Sequence, residues 1–197
     1  MIVRRVALTG GIATGKSRVL RRLASQGIPT IDADHLAHEV LAPGSRGAAR
    51  VAERFGPGIL APDGGLDRRA LAGIVFADPS ARTDLEAIVH PAVYDAIARW
   101  FGTVAPARVA VADIPLLFET GREGDFDEVI VAACPPEEQV RRVVARDGLS
   151  EPEARARLAA QWPIGEKVAW ADTVVDTAGT HEATDAQVDA LVARWSA

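Results

Sequence analysis

Apolar positions along this chain fall into two patterns. Val109–Ile114 and Val129–Cys134 are near-continuous apolar runs, as parallel strands buried on both faces require. Val3–Thr9, rich in β-branched residues and running into glycines, predicts a first strand; Pro29–Asp32 and Thr173–Asp176 predict short ones. Between these the period changes. Val19, Leu20 and Leu23 share one side of a predicted helix over Lys16–Ser25, with Gly27 placed to end it. Val188, Leu191, Val192 and Trp195 do the same for a closing helix over His181–Trp195. Strands separated by helices imply a parallel sheet covered on both faces. The stretch from Ala33 to Arg108 breaks the rhythm, reading as helices Ala33–Leu41, Arg46–Phe55, Asp67–Phe76 and Asp84–Phe101 with turn-rich Gly56–Gly65 between them. A crossover that long exceeds what one helix needs, and is expected to cap the sheet's C-terminal edge, where open α/β sheets bind ligands.

Composition narrows the class. At 197 residues, 48% hydrophobic and 25% charged, the chain suits one globular unit with a small appendage and excludes disordered or fibrous classes. The single cysteine, Cys134, cannot form an internal bridge. No apolar run approaches the roughly 20 residues of a membrane span, and Met1–Leu8 lacks the apolar length of a signal peptide, so a cytoplasmic protein is expected. A net charge of −5 leaves no footprint for duplex nucleic acid, so anionic ligands must be held locally. Neither nucleic acid nor a membrane is an expected partner, and the sequence is silent on oligomeric state. Twenty of the 22 basic residues are arginine; the two lysines are Lys16 and Lys167, and asparagine is absent.

Lys16 lies in the sharpest motif. Gly10-Gly11-Ile12-Ala13-Thr14-Gly15-Lys16-Ser17 satisfies G-x-x-x-x-G-K-[ST], between a predicted strand and a predicted helix. Glycines let the backbone turn its N–H groups onto a phosphate, and the helix start adds about half an elementary positive charge. Lys16 would reach the β- and γ-phosphates and Ser17 would ligate Mg²⁺, with Arg18 beside them. The motif implies a nucleoside triphosphate. A GTPase would need an N-K-x-D motif, which a chain without asparagine cannot supply, and the short acidic chain argues against a motor ATPase. A small-molecule phosphotransferase remains, needing an acceptor pocket, a base and arginines over the phosphates.

Asp32 and Asp34, two apart at the end of a strand, share a face; one is a candidate base and the other a candidate for Mg²⁺-bound water or the acceptor, unless one merely caps the next helix. Arg142 and Arg146 lie one turn apart near Glu138 on a helix beginning near Pro136, and with helical Glu151–Gln161 suggest a lid. Asp113, ending an apolar strand, resembles a Mg²⁺-holding Walker-B aspartate. His90-Pro91 reads as a helix break or a site element, and Cys134 as a small buried hydrophobe.

Together these residues resemble the dephospho-coenzyme A kinase family. The matching pieces are Leu8–Ile12 running into Gly15-Lys16-Ser17, Ile31-Asp32-Ala33-Asp34, His90-Pro91, Asp113–Glu119, Arg146–Leu149, Gln161, Pro163 and Lys167, in family order across nearly the whole chain. The resemblance implies an α/β fold, a five-stranded parallel sheet forming a P-loop kinase core, with a helical acceptor-binding insertion and a helical lid. It implies residues 1–32, 107–135 and 171–197 as the nucleotide-binding core, 33–106 as the acceptor subdomain and 136–170 as the lid. It further implies transfer from ATP, with Mg²⁺, to the 3′-hydroxyl of the dephospho-coenzyme A ribose. Asp34 would be the base; Asp32 would orient it or assist the metal together with Ser17 and Asp113. The acceptor would lie against Asp34, His90, Pro91 and the Leu116–Glu119 segment, including Leu117. Other small-molecule kinases, acting on a nucleoside monophosphate or a sugar acid, and a nucleotide-sensing protein without catalysis stay open as alternatives. The sequence departs from the family at Ala13-Thr14, where Gly-Ser is common, at Arg18, at Trp162 and at Thr177.

Overall fold

The computed structural model describes residues 3–104 and 107–196, so the expected subdomain limits at 1, 106 and 197 fall outside it. The chain divides into two compact units, Met1–Ile31 with Thr103–Ala197, and Asp32–Gly102.

The first unit carries the sheet: β1 (Arg4–Gly10), β2 (Thr30–Asp32), β3 (Val109–Asp113), β4 (Glu128–Ala133) and β5 (Thr173–Asp176), in the order β2-β3-β1-β4-β5. Central β1 pairs in parallel with β3, Leu8 opposite Asp113, and with β4, Gly10 opposite Ala132. The five expected strands are present. β3 is buried along its whole length, as its unbroken apolar run requires.

Helices α1 (Lys16–Ser25) and α9 (His181–Ser196) bury Val19, Leu23, Val188, Leu191 and Trp195 against Val6, Leu8, Ile130 and Val175. Removing each such side chain from water contributes about 1.5–3 kcal/mol. Two bidentate pairs at matching turns, Arg18–Asp185 and Arg22–Asp189, fix the register of α1 on α9. At the start of β4 Glu128 is nearly fully buried, and Arg4, Arg194, Thr173 and the Trp195 indole N–H all satisfy its carboxylate.

The second unit contains α2 (Ala33–Val40), α3 (Arg46–Phe55), α4 (Arg68–Ala77) and most of α5 (Pro79–Thr103). Its core joins Val51, Ile59, Leu71 and Ile88. Asp32, Ser45 and Asp67 cap the first three helices by accepting backbone N–H groups. The expected helices are found, with α5 longer than its apolar spacing suggested. Pro91 does not end α5: it lacks the N–H that residue 87 would accept, but Ile88, Val93, Tyr94 and Ile97 are buried on either side of it and hold the helix together. The break expected at His90-Pro91 is absent.

Candidate functional site

The phosphate loop follows β1. Gly10 is required there by close approach, since a Cβ would stand 2.7 Å from the carbonyl oxygen of Ala132. Gly15, at φ +79°, turns the chain into α1. Ala13 is also left-handed at φ 56°, without a glycine's freedom. Thr14 is buried, its hydroxyl donating to Gly11 O at 2.9 Å. Thr177 donates to Thr14 O at 2.5 Å and to Ala133 O at 3.0 Å, so it fastens the loop to β4. Among the described residues the backbone N–H groups of Ala13, Gly15, Lys16 and Ser17 donate to no protein acceptor. They form a free donor array at a helix start, the arrangement that binds a phosphate.

Both lysines of the chain serve this loop. Lys16 forms an ion pair with the buried Asp113 carboxylate at the end of β3. Lys167, on α8 (Ile164–Ala169), is fully buried, and its ammonium pairs with Glu119 Oε1 at 2.7 Å while donating to Pro115 O at 3.2 Å and Gly10 O at 3.4 Å. A buried ammonium is tolerated only with such compensation. Sequence reasoning gave Lys167 no role of its own; its rarity in an arginine-rich chain was the signal.

Helices α6 (Pro136–Asp147) and α7 (Glu151–Ala159) form a hairpin whose core of Val140, Val143 and Ala154 packs against Ile12 and Ala13 of the loop. Two glutamines grip Ile12 from either end of this hairpin: Gln161 Oε1 accepts its N–H at 2.9 Å, and Gln139 Nε2 donates to its carbonyl at 2.7 Å. Gln139 is a site residue that sequence reasoning missed.

The two candidate arginines separate. Arg142 pairs with Glu138 at 2.6 Å and donates to Thr177 O at 2.6 Å and Ala13 O at 3.4 Å, which sets it against the loop. Arg146 is more exposed and paired with Asp147. One turn apart on α6, the two like charges are each offset by a carboxylate, Glu138 for Arg142 and Asp147 for Arg146. Cys134 is buried beside Arg142, and burial pushes its thiol pKa up while the guanidinium pulls the other way.

Several expected contacts shift role. The Arg18 guanidinium is committed to Asp185, so only its backbone remains at the loop. Leu117 is fully buried and acts as packing, whereas Leu116 is 40% exposed. Glu119 holds Lys167 and accepts the Trp162 N–H, and Trp162 stacks on Phe118 at 6.3 Å.

In the second unit Asp32 caps α2, its Oδ1 accepting the N–H groups of Asp34 and His35. That is the structural role weighed against catalysis above. Asp34 is exposed in the first turn of α2, and among the described residues its carboxylate has no partner. His90 is half-buried and Pro91 exposed, on α5.

Among the described residues no three His, Cys, Asp or Glu side chains form a metal cage. Mg²⁺ needs none: it binds through a few hard oxygens while keeping waters and phosphate ligands. The Ser17 hydroxyl and the Asp113 carboxylate, drawn to the loop by Lys16, are oxygen donors of that kind.

Known proteins resemble this chain over nearly its whole length. The dephospho-CoA kinase family model matches residues 4–182. A dephospho-CoA kinase of Anaeromyxobacter dehalogenans is 48% identical over 193 residues, 97% of this chain and 92% of its own length. A crystal structure of a Thermus thermophilus protein superposes with a TM-score of 0.83 at 38% identity, covering 98% of both chains. Dephospho-CoA kinase from Campylobacter jejuni superposes with a TM-score of 0.68 at 27% identity, over 99% of this chain and 98% of that one.

Proposed function

This chain belongs to the dephospho-CoA kinase family, and from that premise we propose that it phosphorylates the ribose 3′-hydroxyl of dephospho-coenzyme A with ATP. Coenzyme A and ADP are the products. The observation that carries the reading is the free array of loop amides, bordered by Lys16 and Arg142, in a chain of this family.

The loop amides hold the β- and γ-phosphates and Lys16 leaves Asp113 for them, giving the transferred group a preorganised positive surround. Arg142 neutralises charge on the same group, with Arg146 a secondary contributor from the lid formed by residues 136–170. The Ser17 hydroxyl and the Asp113 carboxylate would hold Mg²⁺, which when bound supplies charge neutralisation between the phosphates. Asp32 keeps Asp34 at the first turn of α2, and Asp34 accepts the hydroxyl proton as the new P–O bond forms. Transfer needs the two ligands presented in line; residues 33–106 bind the acceptor, with His90, Pro91, Leu116 and Glu119 as further contacts. Hairpin closure excludes water and so suppresses ATP hydrolysis.

Among the described residues no helix is long and apolar enough to cross a membrane. We place the enzyme in the cytoplasm, a reading supported by its one cysteine being free and buried.

A coupled ADP-release assay with dephospho-coenzyme A, AMP and gluconate tests the proposal. Turnover restricted to dephospho-coenzyme A is expected. Turnover with AMP or gluconate instead would replace the acceptor, and no turnover with any of the three would leave a nucleotide-binding protein.

A further inference from the structure

The second unit contains a cleft of about 400 Å³ enclosed by the end of α2, the first half of α3 and the middle of α5. Val40, Ile88, Pro91 and Ala92 line its apolar side. Its charged lining is Arg46 and Arg50, four apart on α3, and Asp95 and Arg99, four apart on α5, so each pair shares a helix face. Arg18, Arg22, Arg54 and Arg155 each hold a carboxylate elsewhere in the chain. Among the described residues Arg46, Arg50 and Arg99 hold none, nor do they donate to any carbonyl. Three unpartnered guanidiniums therefore face one cleft that contains a single carboxylate, in a chain whose net charge is −5.

The backbone is shaped to keep this cleft. At Gly47 a Cβ would stand 2.3 Å from Val40 O and 2.7 Å from Val40 Cγ1, so only glycine lets α3 start this close to the end of α2. The Ser45 hydroxyl donates to the same Val40 O at 2.5 Å while accepting the Ala48 N–H at 3.0 Å, pinning the junction from both sides. The cleft opens at the first turn of α3, where the positive end of the helix dipole adds to Arg46. Planar forked donors converging on one concavity are suited to an oxyanion with several oxygens, above all a diphosphate.

We propose that this cleft is an anion subsite that holds the 5′-diphosphate of the phosphoryl acceptor. The assignment rests on the functional reading above for the identity of that acceptor. α2 supplies the ruler: Asp34 lies at its start and Val40 at its end, six residues or about 9 Å along the axis. A ribose with its 5′-diphosphate bridges such a span, placing the 3′-hydroxyl at Asp34 and the diphosphate among Arg46, Arg50 and Arg99. Asp95 lines the same space as its one carboxylate. An acceptor without phosphate would lose this hold, so the cleft sets specificity for a nucleotide over a free nucleoside.

The test uses the full chain and the double variant Arg50→Gln/Arg99→Gln; both positions are exposed, and coincident thermal melts check that the variant folds. In steady-state assays the KM for dephospho-coenzyme A should rise tenfold or more, with the KM for ATP within twofold and kcat at saturating acceptor retained. With adenosine as a forced acceptor, variant and parent should be indistinguishable. Calorimetric titration with inorganic diphosphate, the nucleotide site filled by a non-hydrolysable ATP analogue, should show binding to the parent that weakens at least tenfold in the variant. Arg50→Lys/Arg99→Lys should recover part of it. An unchanged KM for dephospho-coenzyme A, or an equal loss for ATP, overturns the subsite and leaves the kinase reading standing. If the parent fails to turn over dephospho-coenzyme A, the kinase reading falls instead, and the diphosphate titration alone decides the cleft: retained binding in the variant overturns it.

Discussion

The carboxamide oxygen of Gln161 accepts the backbone N–H of Ile12 at 2.9 Å, joining the end of the α6–α7 hairpin to the phosphate loop across 149 residues of sequence. Gln139 completes the grip by donating to the carbonyl of the same residue. A loop that must cradle a phosphate has few internal hydrogen bonds to hold its shape, and these two glutamines supply them from outside. The hairpin proposed above as the lid is thereby tied to the backbone of the phosphate loop.

Replacing Gln161 by Leu should release the Ile12 amide. Losing one net hydrogen bond costs about 1 kcal/mol. Hydrogen exchange at the Ile12 amide should accelerate several-fold, and the KM for ATP should rise. Gln139→Leu, which removes a donor from the carbonyl, should disturb that amide less. Unaltered exchange at Ile12 in Gln161→Leu would mean the clamp does not hold the loop.

Ala13 sits left-handed at φ 56° beside a loop glycine that adopts the same region freely. A Cβ there costs about 1–2 kcal/mol. Ala13→Gly removes that strain but gives the unfolded chain more freedom, and the net gain should be about 0.5–1 kcal/mol with the loop conformation unchanged. A thermal melt reads it directly. A lower Tm in Ala13→Gly would show that packing of the Ala13 methyl against the hairpin outweighs the strain.

Much of this was legible in one dimension, and the parts that were not share a physical reason. β3 and β4 announce themselves by unbroken apolar runs, and the loop by its glycines, because these are local consequences of burial and backbone geometry. Helix α8 gave no signal: six residues are too short to display a period, and its anchor is the buried Lys167, an atypical core residue. Gln139, Gln161 and Thr177 hold the loop through partners more than 100 residues away, and nothing in their own neighbourhoods marks them. Pro91 misled because a helix-breaking residue is tolerated where flanking apolar residues supply the missing stability. The cleft arginines vanished into the general arginine excess and became distinct only when their lack of partners could be seen.

Arg142 and Arg146 look equivalent by spacing, but only Arg142 reaches the loop. Arg142→Gln should lower kcat at least tenfold, because it removes a charge acting on the transferred group. Arg146→Gln should lower it less than threefold. Steady-state assays under matched ATP saturation check the ordering, and the reverse ordering would move the phosphate role to Arg146.

Among the described residues the Asp34 carboxylate has no partner, and it stands at the start of α2, where a carboxylate is also favoured by the helix dipole. Asp34→Asn should reduce kcat by a factor of about 10² or more while the KM for ATP stays near its original value, as loss of general-base help does. Its fold should be retained, because Asp32 rather than Asp34 caps the helix. Turnover close to that of the parent would remove Asp34 from the proton transfer.

The hairpin should be the part of the chain most sensitive to acid. Arg155 holds the Glu137 carboxyl below its usual range, Arg141 and Arg142 do so for Glu138, Arg146 and Arg157 for Asp147, and the Ser150 hydroxyl for Glu153. A carboxyl with a lowered folded pKa takes up its proton more readily when unfolded. The stability it contributes is therefore complete above the unfolded pKa, near 4, and is lost as pH falls through the folded value. Glu137, Asp147 and Glu153 are exposed and Glu138 is half-buried, so each contribution is modest and weakened by salt. They nonetheless fall on two adjacent short helices whose shared core is only Val140, Val143 and Ala154 with a few partly buried neighbours. Hydrogen exchange followed from pH 6 to pH 3, corrected for intrinsic rates, should show residues 136–159 losing protection below about pH 4 while β1, β3 and β4 keep theirs. Simultaneous loss in hairpin and sheet would mean that these ion pairs do not set the hairpin's stability and that its packing against Ile12 and Ala13 does.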